Sequence, residues 1–168
     1  MQIEQADSIL KTRKQWKTEQ PELDTAPMET VGRILRIEFL FRARARQIVA
    51  RYGIDLGGLD VLATLRRSGS PYQMTPTRLY QELVLTSGAM THRMDALEKA
   101  GLLERRSDPR DRRSMVACLT PKGRQVIDKA MAEHMASEAE VAAHLSMKER
   151  QTLAQLLKKL LLEMENGA

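Results

Sequence analysis

Five arginines, Arg105, Arg106, Arg110, Arg112 and Arg113, fall within nine residues around Asp108-Pro109. A slender loop tipped with guanidinium groups fits a narrow minor groove, where the negative potential of a duplex is enhanced. Asp111 sits among them and can hold a neighbouring arginine extended. Upstream, Thr86, Ser87, Thr91, His92 and Arg93 fall at the start of a helical stretch. Short hydroxyls there can reach phosphate or base edges, and the backbone amides of a helix N-terminus suit a phosphate. A solvated charged turn is the alternative reading of the arginines, and it weakens once the elements around them are considered.

Those elements follow from periodicity and caps. Ile9, Leu10 and Trp16 predict a helix over about Gln5 to Thr18, followed by a Pro-punctuated link from Pro21 to Pro27. A second helix is predicted from Met28 to Tyr52, stopped by Gly53. Asp55 can cap a third, Leu56 to Arg67. Thr75-Pro76 opens a short helix to about Leu83. Thr86 or Ser87 caps the next, which runs to Ala100, and Gly101 ends it. Leu102–Ser107 and Ser114–Leu119 then alternate as strands about the charged turn, a β-hairpin. Thr120-Pro121 opens a helix to about His144, and the Ser146–Glu149 capping box opens a last one with Leu153, Leu156, Leu157, Leu160 and Leu161 on one face.

A short helix, a tight turn, a capped second helix and a basic hairpin make a winged helix-turn-helix. In it, Leu79 and Leu83 are expected to pack against Met90, Met94 and Leu97. The fold class is therefore mainly α with a small β-hairpin wing. The N- and C-terminal helices carry more apolar surface than so small a central unit covers, so they are expected to close a homodimer. Residues 1–20 form an extra N-terminal helix, 28–53 and 121–165 a helical dimerisation region, and 55–120 the DNA-binding domain. A dimer places two recognition helices about 34–36 Å apart and calls for a pseudo-palindromic site on double-stranded DNA.

Composition agrees with this reading. The 168 residues are 42% apolar but only 4% aromatic, with ten Met, which suits packed helices. The net charge of +5 permits a polyanionic partner. No apolar run approaches a membrane span, and a signal peptide is absent, so a cytoplasmic protein is expected. Cys118, the one cysteine, lies in an alternating strand and is expected to be a packed, inert thiol rather than a redox sensor. His92, His134 and His144 form no metal-binding spacing, and neither a nucleophile–base pair nor a phosphate loop is present. No enzyme, cofactor or metal is expected.

The run Thr91-His92-Arg93-Met94-Asp95-Ala96-Leu97-Glu98-Lys99-Ala100-Gly101-Leu102, then Glu104-Arg105-Arg106, Asp108–Ser114 and Leu119-Thr120-Pro121-Lys122-Gly123, resembles the MarR family signature. The resemblance extends from Met28 to Met164. It implies a homodimeric transcriptional regulator, a repressor, in a bacterial cytoplasm and on the nucleoid when bound. Trp16, Pro21–Asp24, Pro27-Met28, Asp60–Arg67 and Thr86–Thr91 further resemble the PecS and HucR branch, which senses urate. That branch implies a ligand set of Trp16, Asp60, Arg93 and Arg105, and release of the operator by urate or a related purine. A sensor of another aromatic anion and a ligand-independent regulator are the alternatives. On chemistry, Asp60 in its apolar run calls for a partner, with Arg105 the expected one, unless it simply faces water or the helix dipole. Trp16 can equally be a hydrophobic anchor. Gly57-Gly58 departs from the branch pattern in a way that can enlarge the pocket, and His92 stands where the family often has arginine.

Overall fold

The computed structural model describes residues 7–83, 86–108 and 114–167. The chain divides into two units, one ending at Gln47 and one beginning at Ile48.

The first unit holds α1 (Ser8–Glu19), a 3-10 turn (Ala26–Glu29) and most of α2 (Val31–Ala50). Asp7 caps α1 by accepting from Leu10 N–H at 2.9 Å, and its other oxygen accepts from Arg33 Nε at 2.8 Å. These contacts, the backbone donor first, hold the Asp7 carboxyl below the usual carboxylate value. Arg13 pairs with Glu29 and also donates to Thr25, whose side chain is buried. The sequence predicts α2 from Met28. Instead the chain makes a tight turn there, with Pro27 unable to donate, and the α-helix begins at Val31.

The second unit contains the end of α2, then α3 (Leu56–Arg67), β1 (Gln73–Met74), α4 (Pro76–Glu82), α5 (Ser87–Lys99), β2 (Leu103–Ser107), β3 (Met115–Leu119), α6 (Pro121–Ala142) and α7 (Met147–Asn166). The expected caps are present. Asp55, Thr75, Thr86 and Thr120 each accept from the backbone N–H three residues on, and Ser146 with Glu149 forms the capping box. Gly53 and Gly101, each at φ +70°, follow α2 and α5.

Leu79 of α4 is buried in one cluster with Met90, Met94 and Leu97 of α5, and Leu83 packs against its edge. Leu59, Val61, Leu62 and Leu65 of α3, Leu103 and Ala117 of the strands, and Ile127 of α6 complete that core. This is the helix-turn-helix packing that the sequence predicts. The sheet differs from a bare hairpin: β1 joins on the free edge of β3, giving the antiparallel order β1-β3-β2. A two-residue strand just after Pro71 leaves no periodic trace in the sequence.

Register decides which strand residues face inward. Leu103 opposes Leu119 and Arg105 opposes Ala117, so Arg105 shares the core-facing side of β2 with Leu103. At the base of the wing, Asp108 N–H donates to Ser114 C=O at 2.8 Å.

The start of α6 lies hard against the end of α5. A Cβ on Gly123 would overlap the Leu102 carbonyl oxygen, a contact no side chain can make. Thr120 ties the same corner, its hydroxyl donating to Gly101 C=O at 2.8 Å. Gly123→Ala is expected to cost about 2–3 kcal/mol of stability in chemical denaturation. An unchanged midpoint would contradict this packing.

Candidate nucleic-acid interface

The start of α5 presents Thr86, Thr91 and His92 to solvent. Thr86 is the cap, its Oγ1 accepting from Ala89 N–H at 3.3 Å, which leaves the hydroxyl hydrogen available for a phosphate or base. Ser87 opens the helix with its backbone. Arg110, Asp111, Arg112 and Arg113, read as the tip of the wing, lie outside the described residues. Arg106, on the same hairpin, is exposed and pairs with Glu104 at 2.5 Å.

Arg93 turns away from the outward face of α5 and lies along α3. A Cβ on Gly57 would sit 2.7 Å from Arg93 Nε and 2.9 Å from its Cζ, so a bulkier residue there would push the guanidinium off the helix. One turn along α3, Asp60 Oδ2 is 3.7 Å from Arg93 Nη1. The sequence assigns Arg93 both to reading DNA and to holding a ligand. In this conformation it faces α3 and Asp60 rather than the outward side of the helix. Gly57, which departs from the branch pattern, makes room for this arginine.

The expected Asp60–Arg105 partnership is not what forms. Asp60 is 54% exposed and meets Arg93, whereas Arg105 turns to α5. Its Nη2 donates to Asp95 Oδ1 at 2.5 Å and its Nη1 to Glu98 Oε2 at 3.0 Å. The Arg105 backbone N–H donates to the other Glu98 oxygen at 3.1 Å. The physical reason lies in the register: Arg105 faces inward, toward the helix that precedes its strand. There it meets two carboxylates three positions apart on one helical face, ahead of a carboxylate on α3. The signal is present in the sequence as Asp95 and Glu98, but only the strand register identifies their partner.

Beneath α5 is a cleft of about 230 Å³ lined by Ile54, Asp55, Gly58, His92, Arg93 and Leu97, among others. Asp55 is committed to capping, its Oδ1 accepting from Gly58 N–H at 2.7 Å. The cleft thus offers apolar walls, a guanidinium and an imidazole, beside the Asp55 carboxylate that caps α3. Gly58 lines it. Trp16 lies on α1 in the first unit and is 43% exposed.

Cys118 is buried, and its thiol donates to Gln73 Oε1 at 3.6 Å. Burial, the largest influence, pushes its pKa above the ordinary value, partly countered by Arg106.

Comparison with known proteins follows the same lines. Residues 56–115 match the family described as MarR. The regulator PecS of Dickeya dadantii is 34% identical over 144 residues, 86% of this chain and 87% of that protein. Among solved structures, AbsC, a MarR family transcriptional regulator from Streptomyces coelicolor, superposes with a TM-score of 0.72 at 20% identity, covering 86% of this chain and 97% of that one. A mutant MarR from E. coli complexed with operator DNA gives 0.67 at 25% identity, over 81% and 98%.

A thiol with a raised pKa stays protonated in the folded state, so its contribution to stability is full below about pH 9 and declines as pH rises beyond it. At pH 8, iodoacetamide should alkylate Cys118 at least about a hundredfold more slowly in the native chain than in the denatured one. Equal rates would refute the buried thiol.

Proposed function

The chain belongs to the MarR family of DNA-binding transcriptional regulators, and from that premise we propose that it is a homodimeric repressor released from a pseudo-palindromic operator by a small flat anion, urate or a related purine. The observation that carries this reading is the cleft beneath α5, where Arg93 of the recognition helix is held on α3 by a long, exposed ion pair across Gly57.

An exposed ion pair is worth at most about 1 kcal/mol. When an anion enters the cleft, Arg93 therefore exchanges a weak partner, Asp60, for a better one. Arg93 then follows the ligand, and α5 shifts with it relative to α3. DNA and ligand favour different placements of one helix, and negative coupling follows from that alone. The set implied by the family resemblance adds Trp16, which a separate replacement tests. Arg105 is engaged with Asp95 and Glu98 rather than turned to the ligand in this conformation.

Dimerisation accords with the last helix. Its apolar residues Leu153, Leu156, Leu157, Leu160 and Leu161 are exposed in the protomer, and α7 buries none of its residues. A partner copy is the economical cover for such a face. In this reading α5 enters the major groove with Thr86, Ser87, Thr91 and His92. The wing arginines Arg110, Arg112 and Arg113, supported by Asp111, enter the minor groove. The protein then works in the cytoplasm, on the nucleoid.

The direct experiment is binding to a duplex selected from a random library, with and without urate, xanthine and a panel of aromatic carboxylates. Urate or xanthine should lower affinity by about 5–150-fold. Release by the aromatic carboxylates alone would replace the purine with another flat anion, and release by none would leave a ligand-independent regulator. Asp60→Asn, Arg93→Ala and Trp16→Phe should each blunt release; parent-like release in all three would remove the proposed site. Arg110→Ala and Arg112→Ala should each weaken binding, with the salt slope falling by about one for each phosphate no longer neutralised. Unchanged affinity in both would remove the wing from the interface.

A further inference from the structure

The two elements that would touch DNA, α5 and the wing, are tied together by Arg105. From β2 it reaches back to α5 and bridges Asp95 and Glu98 through separate nitrogens, at 2.5 and 3.0 Å. Glu98 is held twice, since its second oxygen accepts the Arg105 backbone N–H at 3.1 Å. The arginine side chain is 27% exposed, while its partners Asp95 and Glu98 stand 57% and 40% exposed. Planar guanidinium geometry fixes direction as well as distance, which a lysine ammonium would not do. Across the sheet, Arg105 is paired with Ala117, which is fully buried.

On its other side α5 meets α3 through the shared core and through the Arg93–Asp60 pair, which is longer at 3.7 Å but similarly exposed. Toward the wing the helix is therefore held by a forked arginine, and toward α3 by apolar packing with a longer ion pair. We propose that Arg105 is a positioning residue that locks the recognition helix to the wing, so that both read DNA, and leave it, as one body. This rests on the DNA-binding reading above. It assigns Arg105 to neither ligand nor phosphate.

The consequence is a split between two kinds of affinity. Contacts to base edges demand accurate placement of α5, whereas phosphate contacts tolerate tilt. Loosening the clamp should cost sequence discrimination and spare general attraction to DNA.

The test compares the library-selected duplex with an unrelated duplex, using the full chain throughout. Arg105→Gln should lower the ratio of the two affinities at least about tenfold, the size of one good base contact. Affinity for the unrelated duplex should stay within about twofold. Arg105→Lys keeps the charge without the fork and should also lose discrimination. The double replacement Asp95→Asn with Glu98→Gln breaks the clamp while leaving Arg105 in place, and it should lower the ratio without weakening binding to the unrelated duplex. A merely destabilised protein would lower both affinities by its unfolded fraction and leave the ratio alone. An unchanged ratio in folded Arg105→Gln and in the double variant would overturn the proposal. So would equal weakening on both duplexes with the salt slope falling by about one, which would mark Arg105 as a phosphate contact. Failure of the parent to enrich any sequence would overturn the DNA-binding reading itself, and this proposal with it.

Discussion

Two arginines of unequal grip hold the recognition helix α5, and the rest of the second unit makes sense around them. The inner face of the helix, Met90, Met94 and Leu97, is anchored in the core. That burial sets where the helix lies, and charged groups at its flanks add direction, since hydrogen-bonded ion pairs are directional where apolar contact is not. Arg105 supplies a short, forked attachment toward the wing, and Arg93 a longer, single one toward α3.

Glycine permits the looser attachment. At Gly57 the absence of a side chain lets Arg93 lie flat along α3, and at Gly58 it leaves room in the cleft beside Leu97. Gly123 serves the opposite end of α5, where α6 must start almost in contact with Leu102. The helix thus has a tightly packed corner at its C-terminal end and an open cleft along its flank.

Much of this frame is legible in the sequence because its signals are local. The caps at Asp55, Thr75, Thr86, Thr120 and Ser146 each act within three residues. The change from helical to strand period at Gly101 marks the hairpin, and the spacing of Leu79, Met90, Met94 and Leu97 marks the helix-turn-helix core. Long-range pairing is not legible. β1 is two residues long and owes its existence to a neighbour more than forty positions away. The partner of Asp60 is hidden for the same reason: Arg105 is the expected one until the register of β2 turns it toward α5 and leaves Arg93 beside Asp60. Residue types name the participants in the candidate site, and only the packing pairs them.

Coupling through one helix makes a reciprocal demand. If an anion in the cleft and DNA on the outer face prefer different placements of α5, each must weaken the other by the same factor. The most direct measurement is urate affinity by calorimetry, for the free protein and for its complex with the selected duplex. Weaker urate binding in the complex, by the factor with which urate weakens DNA binding, is the result this account predicts. Equal urate affinity in the two states would contradict it.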